Sequence, residues 1–451
     1  MSDAGELSLF VRRVRDLLHG PAATCAPATS VADVAGLMQR GTGVVVLDPD
    51  GAPLGIVTDR DLRARVVAAR RDAGATAAVD VMSSPVVTIE AGEFAFEALL
   101  EMTRREIHHL VVVDGGRLAG DVTGLVKRLV EDGGRAGDIA RIVAELNDRI
   151  VARVLAQAEA ALADRGQGTP PTPYGWLVFG SEARREQTLR TDQDNGLVYA
   201  DPSPELAPAA ARYFAGLADE AIAGLLAVGF PPCPGGAMAS NPRWCQPLAT
   251  WSGYFREWLA RPSPEHVLAA SMYFDLRPVV GAPELGAALA ALVQSEAPRH
   301  RRFLTVMAAD VVDRRLPLGP LGGLRVPRSG EHRGTLDLTG AGGLQLVGAA
   351  RVHALELGLL ETGTAERFVA AGGHGLYTQA EVTEVVDAHG DLLRLRLVHQ
   401  LACLREGRAA DNRVSVRDLS HRDQLLLQEA LRTVGRVQGK LRERFATDYA
   451  G

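Results

Sequence analysis

The chain has 451 residues, 47% of them hydrophobic and 23% charged, with a formal net charge of −6. That length suggests about three domains, and the apolar fraction excludes a disordered chain. Charge without long single-sign runs excludes an advertised nucleic-acid surface, no apolar run approaches the ~18 residues that span a bilayer, and four cysteines without paired spacing point away from a zinc ribbon or a disulfide framework.

The opening "MSDAGELSLF" has no basic region ahead of an apolar one, so no signal peptide is expected and the cytoplasm is the expected compartment. Residues 1–20 are read as an N-terminal helix. An internal repeat follows. "TSVADVAGLMQRGTGVVVLDPDGAPLGIVTDRDLRARV" starts at Thr29 and "TIEAGEFAFEALLEMTRREIHHLVVVDGGRLAGDVTGLVKRL" at Thr88; Met38 corresponds to Met102 and Gly55 to Gly120, a period of 64 to 65 residues. Each copy reads as a helix, an apolar strand ending at Asp48 or Asp114, a glycine-containing hairpin turn, a second strand and a helix. Two half-sized units of this kind must pack together to bury their sheets.

This tandem, residues 21–132, resembles a CBS-domain pair, a module that senses adenine nucleotides. The resemblance implies AMP, ADP or ATP as ligand and a homodimer formed through the pair. It also implies a G-h-h-T-x-x-D turn whose Thr hydroxyl meets phosphate and whose Asp accepts the ribose hydroxyls. The first copy matches in full, Gly55-Ile56-Val57-Thr58-Asp59-Arg60-Asp61, which assigns Thr58 and Asp61 to the regulatory nucleotide. The second copy has Val126 where the Asp belongs. The competing reading of Thr58 and Asp61 is a helix cap.

Residues 133–285 are expected to hold a linker helix and an α/β domain. Ile139, Ile142, Val143, Leu146, Ile150, Val154 and Leu155 recur at helical spacing, and "RGQGTPPTPYG" then breaks the helix. Trp176 to Phe179 read as a buried strand and Ser181 to Leu189 as the helix after it. Gly180 permits a tight turn, and Ser181 with the first N–H groups of that helix suits a phosphate. Eleven residues beyond Ser181 come Asp192 and Asp194, entering the strand Asn195 to Tyr199. Residues two apart on a strand face the same way, about 7 Å apart, and carboxylates so placed converge on divalent metals. The bland alternative is a pair of solvated loop aspartates near Arg184, Arg185 and Arg190.

Beyond residue 286 helical periodicity dominates. Leu392, Leu395, Leu397, Val398, Leu401 and Leu404 form one stripe, and Leu425, Leu426, Leu431, Val434, Val437 and Leu441 another, with an irregular passage at Leu316 to Gly343.

The G-S turn, the eleven-residue interval and Asp-x-Asp resemble the DNA polymerase beta nucleotidyltransferase superfamily. "GSEARREQTLRTDQDNGLVYAD", "GFPPCPGGAMASNPRWCQPL" and "MYFDLRPVVG" look like the CBS-associated nucleotidyltransferases, relatives of bacterial signal-protein uridylyltransferases. The resemblance covers essentially the whole chain. It implies an α+β multidomain protein: a tandem CBS repeat, a polymerase-beta-like nucleotidyltransferase domain, and a C-terminal helical bundle (286–451) that binds substrate. It further implies transfer of NMP from an NTP to a hydroxyl acceptor with Mg²⁺, two ions held by Asp192, Asp194 and Asp275. Asp275, on the expected strand "MYFDLRPV", would help deprotonate the acceptor, which by analogy is a protein side chain; the structural alternative pairs it with Arg277. Gly180, Ser181 and Arg184 would bind phosphates, and Glu186 and Gln187 either contact nucleotide or orient the loop. Asn241, Trp244 and Cys245 either cover the base or form a packed aromatic corner. Two departures from the family pattern stand out, Ala183 in place of a frequent glycine and Thr339 in place of a usual lysine. A non-catalytic nucleotide sensor acting through a partner, and a small-molecule nucleotidyltransferase of the antibiotic-modifying kind, are the competing functions.

Overall fold

The computed structural model describes residues 13–18, 22–38, 43–93, 98, 102, 107, 109–123, 136–188, 192–319, 322–406 and 408–447. The chain divides into two compact units, Met1–Gly134 and Arg135–Gly451. Most of the expected N-terminal helix lies outside the described residues; Val14–Leu17 forms one 3₁₀ turn.

In the first unit the repeat is visible as two three-stranded sheets of identical topology. β1 (Thr24–Cys25) runs parallel to β2 (Gly43–Leu47), which is antiparallel to β3 (Pro53–Thr58); α1 (Val31–Leu37) precedes β2. The second copy repeats this with β4 (Thr88–Glu90), β5 (His109–Asp114) and β6 (Arg117–Thr123). Asp48 falls one residue past β2, where its Oδ1 accepts the N–H groups of Asp50 and Ala52 and fixes the "DPDG" turn. Val45 and Ile56 of one copy pack with Val111 and Val113 of the other, so each half-sheet covers its partner. The short helix α2 (Asp59–Asp61) follows β3, while the helix expected after β6 lies outside the described residues.

The second unit begins with α3 (Ala136–Asp164), the expected long helix. A four-stranded sheet follows in the order β10-β7-β8-β9. β7 (Tyr174–Phe179) lies antiparallel to both β8 (Asn195–Tyr199) and β10 (Leu276–Gly281), and β8 is parallel to β9 (Cys245–Pro247). Every residue of β7 is buried, because helices cover both faces. Tyr174, Trp176 and Val178 pack on α3 and on the helix following α4 (Gly180–Ala183), α5 (Ala207–Ala227). Leu177 and Phe179 point the other way, into a core that includes α6 (Leu248–Ala260) and α7 (Pro264–Tyr273). Trp244, Trp251 and Tyr273 stack there beside Phe179, so the stretch around Trp244 is the packed aromatic corner and does not reach a cavity.

That core continues without a break into a bundle: α8 (Pro283–Glu296), α9 (Arg301–Asp313), α10 (Leu344–Leu357), α11 (Thr364–Gly373), α12 (Gln379–Arg405) and α13 (His421–Phe445). The expected boundary at 285/286 therefore falls inside α8, and residues 135–451 share one compact unit. A two-stranded ribbon, β11 (Thr335–Asp337) with β12 (Arg413–Ser415), borders the bundle. Leu392, Leu395, Leu397, Leu431, Val434, Val437 and Leu441 are buried as expected, but Val398 and Leu425 are 40% and 51% exposed, lying off the two core-facing stripes. The side chains of Leu401 and Leu404 lie outside the described residues. No helix among the described residues is long and apolar enough to cross a membrane.

Asp275 ties sheet to bundle. It sits at the bend between α7 and β10, since "MYF" ends the helix and the strand begins only at Leu276. The residue is 0% exposed. Its Oδ2 accepts hydrogen bonds from Arg184 Nη1 (2.7 Å) and Arg351 Nη2 (2.6 Å), and its Oδ1 pairs with Arg367 Nη1 at 2.7 Å. Arg351 belongs to α10 and Arg367 to α11. Burial alone would raise the Asp275 pKa, but the guanidiniums of Arg351, Arg367 and Arg184 outweigh it and hold the carboxyl well below the usual range. Asp275→Asn removes the counter-charge of these arginines and is expected to cost about 3–5 kcal/mol at pH 7, read from urea unfolding. A folded-state pKa below the unfolded value means this contribution is complete above the ordinary aspartate pKa and fades as pH falls toward the folded one. The gap between wild type and variant should therefore begin to narrow below about pH 4 and keep shrinking as pH falls further, and equal stabilities at pH 7 would contradict the assignment.

Candidate functional site

At the end of β7 the chain turns sharply at Gly180, whose φ of +57° lies in the left-handed region. Its N–H donates to the Asp275 carbonyl (3.1 Å), and an added Cβ would stand 3.5 Å from Asp194 Oδ2. The helix expected over Ser181 to Leu189 stops after Ala183. Arg185 takes φ +55°, and the run Arg184-Arg185-Glu186-Gln187 offers no apolar stripe to hold a helix against the core. Residues 189–191, Arg190 among them, lie outside the described residues. With four residues, this helix contributes little dipole, so anion binding here depends on the arginines.

Asp192 and Asp194 approach β8 in extended form. Buried Gln193 alternates with them, its N–H donating to Pro231 O, and Asn195 accepts the Ala239 N–H at 2.8 Å and donates to Gln193 Oε1. The alternation turns Gln193 inward and both aspartates to one cavity of about 560 Å³.

Gly180, Ser181, Arg184, Glu186, Asp192 and Asp194 line this cavity. Arg351, His389 and Arg396 of the bundle line it as well. Thr339, where the family usually has lysine, also lines it, with a buried Oγ1 that makes no hydrogen bond. Gln187 and Asp275 do not line it. Gln187 faces α3, accepting from Asn147 Nδ2 at 2.7 Å. Glu186 orients: it accepts from Arg184 Nε (2.8 Å) and from the Thr364 N–H (2.6 Å) at the start of α11. The expected Asp275–Arg277 pair is absent, because Arg277 is held bidentately by Asp148 of α3 at 2.7 and 2.8 Å. Asn241 caps a 3₁₀ turn, accepting from the Arg243 N–H, and Cys245 begins β9.

The cavity lining carries charge of both signs. Among the acids, burial raises the Asp194 pKa, a hydrogen bond from the Cys233 thiol partly lowers it, and the neighbouring Asp192 raises it again. Burial, reinforced by Asp148 and Asp194, pushes Glu182 up to about 8, and its Oε1 makes no hydrogen bond, so it is a neutral acid at pH 7. Among the bases, burial opposes the Arg184 charge but Glu186 and Asp275 more than restore it. Arg396 hydrogen-bonds only neutral oxygens, Asn412 Oδ1 (3.2 Å) and Thr188 Oγ1 (3.4 Å), and no carboxylate lies within ion-pair distance among the described residues. Asp337 and Glu186 act on this partly buried guanidinium only from beyond ion-pair distance, so it is free to meet an anion directly. Burial lowers the His389 pKa, partly offset by Glu186, which leaves the imidazole neutral at pH 7.

A divalent cation suits one part of the expected ligand set. Asp192 and Asp194 open to the cavity, and the Asp194 pKa is raised first by burial and in smaller part by neighbouring Asp192, both of which a bound dication would offset. Asp275 does not fit: both its oxygens are taken by guanidiniums, and Asp192, Asp194 and Asp275 are not among the groups whose oxygens come within 4.8 Å of one another. It is a positioning residue for Arg184 and Arg351. Those bundle residues escaped the sequence reading although signals existed. Arg351 interrupts an apolar run in its helix, and His389 and Arg396 lie two turns apart on one face of α12.

Known proteins bear on this geometry. Residues 120–265 match the family model described as "Putative nucleotidyltransferase DUF294", residues 301–445 that of "Putative nucleotidyltransferase substrate binding domain", and residues 14–68 and 78–124 that of "CBS domain". Inosine-5'-monophosphate dehydrogenase of Mycobacterium tuberculosis is 36% identical over 123 residues, 27% of this chain and 22% of that enzyme, so the chain spans about a fifth of its length. The CBS domain-containing protein YhcV of Bacillus subtilis is 32% identical over 110 residues, 24% of this chain and 78% of that protein. A solved CBS domain protein from Pyrobaculum aerophilum, complexed with AMP, is 27% identical, covers 26% of this chain and 90% of its own, and has a TM-score of 0.24. A CBS pair, the domain described as "Putative nucleotidyltransferase DUF294" and its substrate-binding domain are matched in order along one chain, so the protein carries the domain set of that family.

Proposed function

We propose that the protein is a Mg²⁺-dependent nucleotidyltransferase that moves an NMP group from an NTP to a hydroxyl acceptor, regulated by AMP, ADP or ATP at its CBS pair. One observation carries the reading: a carboxylate pair, Asp192 and Asp194, shares a single cavity with three guanidiniums, Arg184, Arg351 and Arg396. Asp192 and Asp194 would hold Mg²⁺, which when bound offsets the negative charge of the triphosphate. Arg184 and Arg396 bind phosphate oxygens and stabilise the charge that develops on departing pyrophosphate, in a cavity where water screens little. Ser181 offers its hydroxyl to the same phosphates. Asp275 and Glu186 keep Arg184 in place and leave it little freedom to lose on binding. Asp275 is too acidic to accept a proton; His389, neutral and on the cavity, is better suited to take it from the acceptor hydroxyl. A protein acceptor seated by the bundle and a homodimer through the CBS pair rest on analogy of fold.

A second reading, a nucleotide-sensing regulator without transfer, is favoured by the closure of Asp275, which leaves two open carboxylates instead of three. Incubation with each labelled NTP, Mg²⁺ and cell lysate separates the two. Transfer is expected from wild type and should fall on the order of 10²-fold or more in Asp192→Asn/Asp194→Asn. Label transfer that survives the double substitution sinks the catalytic assignment; nucleotide binding with no transfer by either form favours the regulator.

Because the Asp194 pKa is raised, protons compete for its carboxylate at higher pH than at an ordinary aspartate. Mg²⁺ affinity by titration calorimetry should weaken as pH drops from 7 to 5, whereas a constant affinity over that range would remove Asp194 from the metal site.

In the CBS unit Asp61 closes a capping box. Its Oδ2 accepts from the Thr58 N–H (2.9 Å) and Oγ1 (2.7 Å), and its Oδ1 from Ser83 Oγ (3.0 Å). A ribose would share this carboxylate with the cap. Asp61→Ala should abolish AMP, ADP and ATP binding to the full-length protein and cost about 1 kcal/mol of stability. Undiminished nucleotide affinity with the same stability loss would leave Thr58 and Asp61 as a cap alone.

A further inference from the structure

Three side chains near the C-terminal end of α12 take no part in the proposed reaction. His399 and Cys403 are four residues apart on that helix and so share one face. Asp411 comes from the segment that returns toward β12. His399 Nε2 lies 2.8 Å from Asp411 Oδ1 and 3.4 Å from Cys403 Sγ, and one donor atom from each of the three lies within 4.8 Å of the others.

A nucleophile–base–orienter relay does not fit this arrangement. A relay needs the thiol on one imidazole nitrogen and the carboxylate on the other, whereas here both partners converge on Nε2. A single hydrogen on that nitrogen serves them poorly; a cation between the three atoms serves all of them. Tetrahedral zinc, with bonds of about 2.0–2.3 Å, sets its ligand atoms roughly 3.3–3.7 Å apart. The observed 3.4 Å already matches, and the 2.8 Å contact needs only a small retreat of Asp411, whose side chain is 49% exposed.

We propose that His399, Cys403 and Asp411 form a zinc-class transition-metal site with a fourth position open toward the cavity. A thiolate, an imidazole and one carboxylate favour zinc over magnesium, whose sites are built from oxygen. The Arg413 N–H holds Asp411 Oδ1 at 2.8 Å and so steadies that ligand. The open position follows from Asp411 and its neighbour Gln400 lining the cavity. Binding there would pin the return segment to α12. Asn412, next to Asp411, receives hydrogen bonds from Arg396 Nε (3.2 Å) and Gln400 Nε2 (3.0 Å), so the metal would also steady the arginine that faces the cavity. The site is distinct from the Asp192/Asp194 pair and stands whether or not the protein transfers nucleotides.

The test uses the full-length protein, freed of affinity tag and stripped of metal, titrated with Zn²⁺ against a chromophoric chelator and separately with Co²⁺. One Zn²⁺ per chain is expected at sub-micromolar Kd, with a thiolate-to-cobalt charge-transfer band. Cys403→Ser should abolish the band, and His399→Gln should weaken Zn²⁺ about 100-fold. Asp411→Asn, on the exposed arm where folding is not at stake, should weaken it about 10-fold or more, while Asp192→Asn/Asp194→Asn retains both metal and band. Absence of stoichiometric Zn²⁺ binding, a cobalt spectrum without the thiolate band, or affinity unchanged in both Cys403→Ser and Asp411→Asn would overturn the proposal.

Discussion

The carboxylate of Asp275 is the point on which the second unit turns. Three guanidiniums, from the loop after α4, from α10 and from α11, converge on a group with no exposure to solvent. None of those charges is tolerable alone in that interior, and each is held by the others. A sheet and two bundle helices are thereby fixed relative to one another by electrostatics as well as by the apolar core that runs through both. Glu186 extends the network by holding Arg184 and the start of α11 together.

That constraint also shapes the cavity. Arg184 and Arg351 line it with side chains already committed to Asp275, so little conformational freedom remains to be lost when an anion arrives. Among the described residues the ion-pair partners of Arg184, Arg351 and Arg367 are the two carboxylates of Asp275 and Glu186, which leaves an excess of positive charge in that network, and Arg396 adds to it at the cavity. In the same cavity Asp192 and Asp194 stand without an arginine partner within ion-pair distance among the described residues. A cavity that presents both signs of charge is the setting in which the proposed metal–triphosphate would bind.

Elements with strong local signals appear where expected. The CBS repeat, α3, the buried strand β7 and the Gly180 turn all follow from periodicity, prolines and glycines that act over a few residues. The errors lie where tertiary partners override local pattern. The helix after Gly180 ends at Ala183 because Arg184 and Glu186 find buried partners far away in sequence. "MYF" joins a helix instead of a strand because Tyr273 completes the aromatic corner with Trp244 and Trp251. Arg351 and Arg396 were present in plain view, but a lone arginine in a helix carries no sign of what it faces.

The sequence by itself determined the family and the domain order, and it marked the carboxylate pair at Asp192 and Asp194 beside a Gly-Ser turn. Those depend on residue types at fixed short spacings, which survive as motifs. Only the tertiary structure decided what the distant residues do: that Asp275 is consumed by arginines, that the bundle supplies arginines to the cavity, and that His399 and Cys403 meet Asp411. These outcomes depend on which charges share a low-dielectric interior, and that is settled by packing between segments tens to hundreds of residues apart.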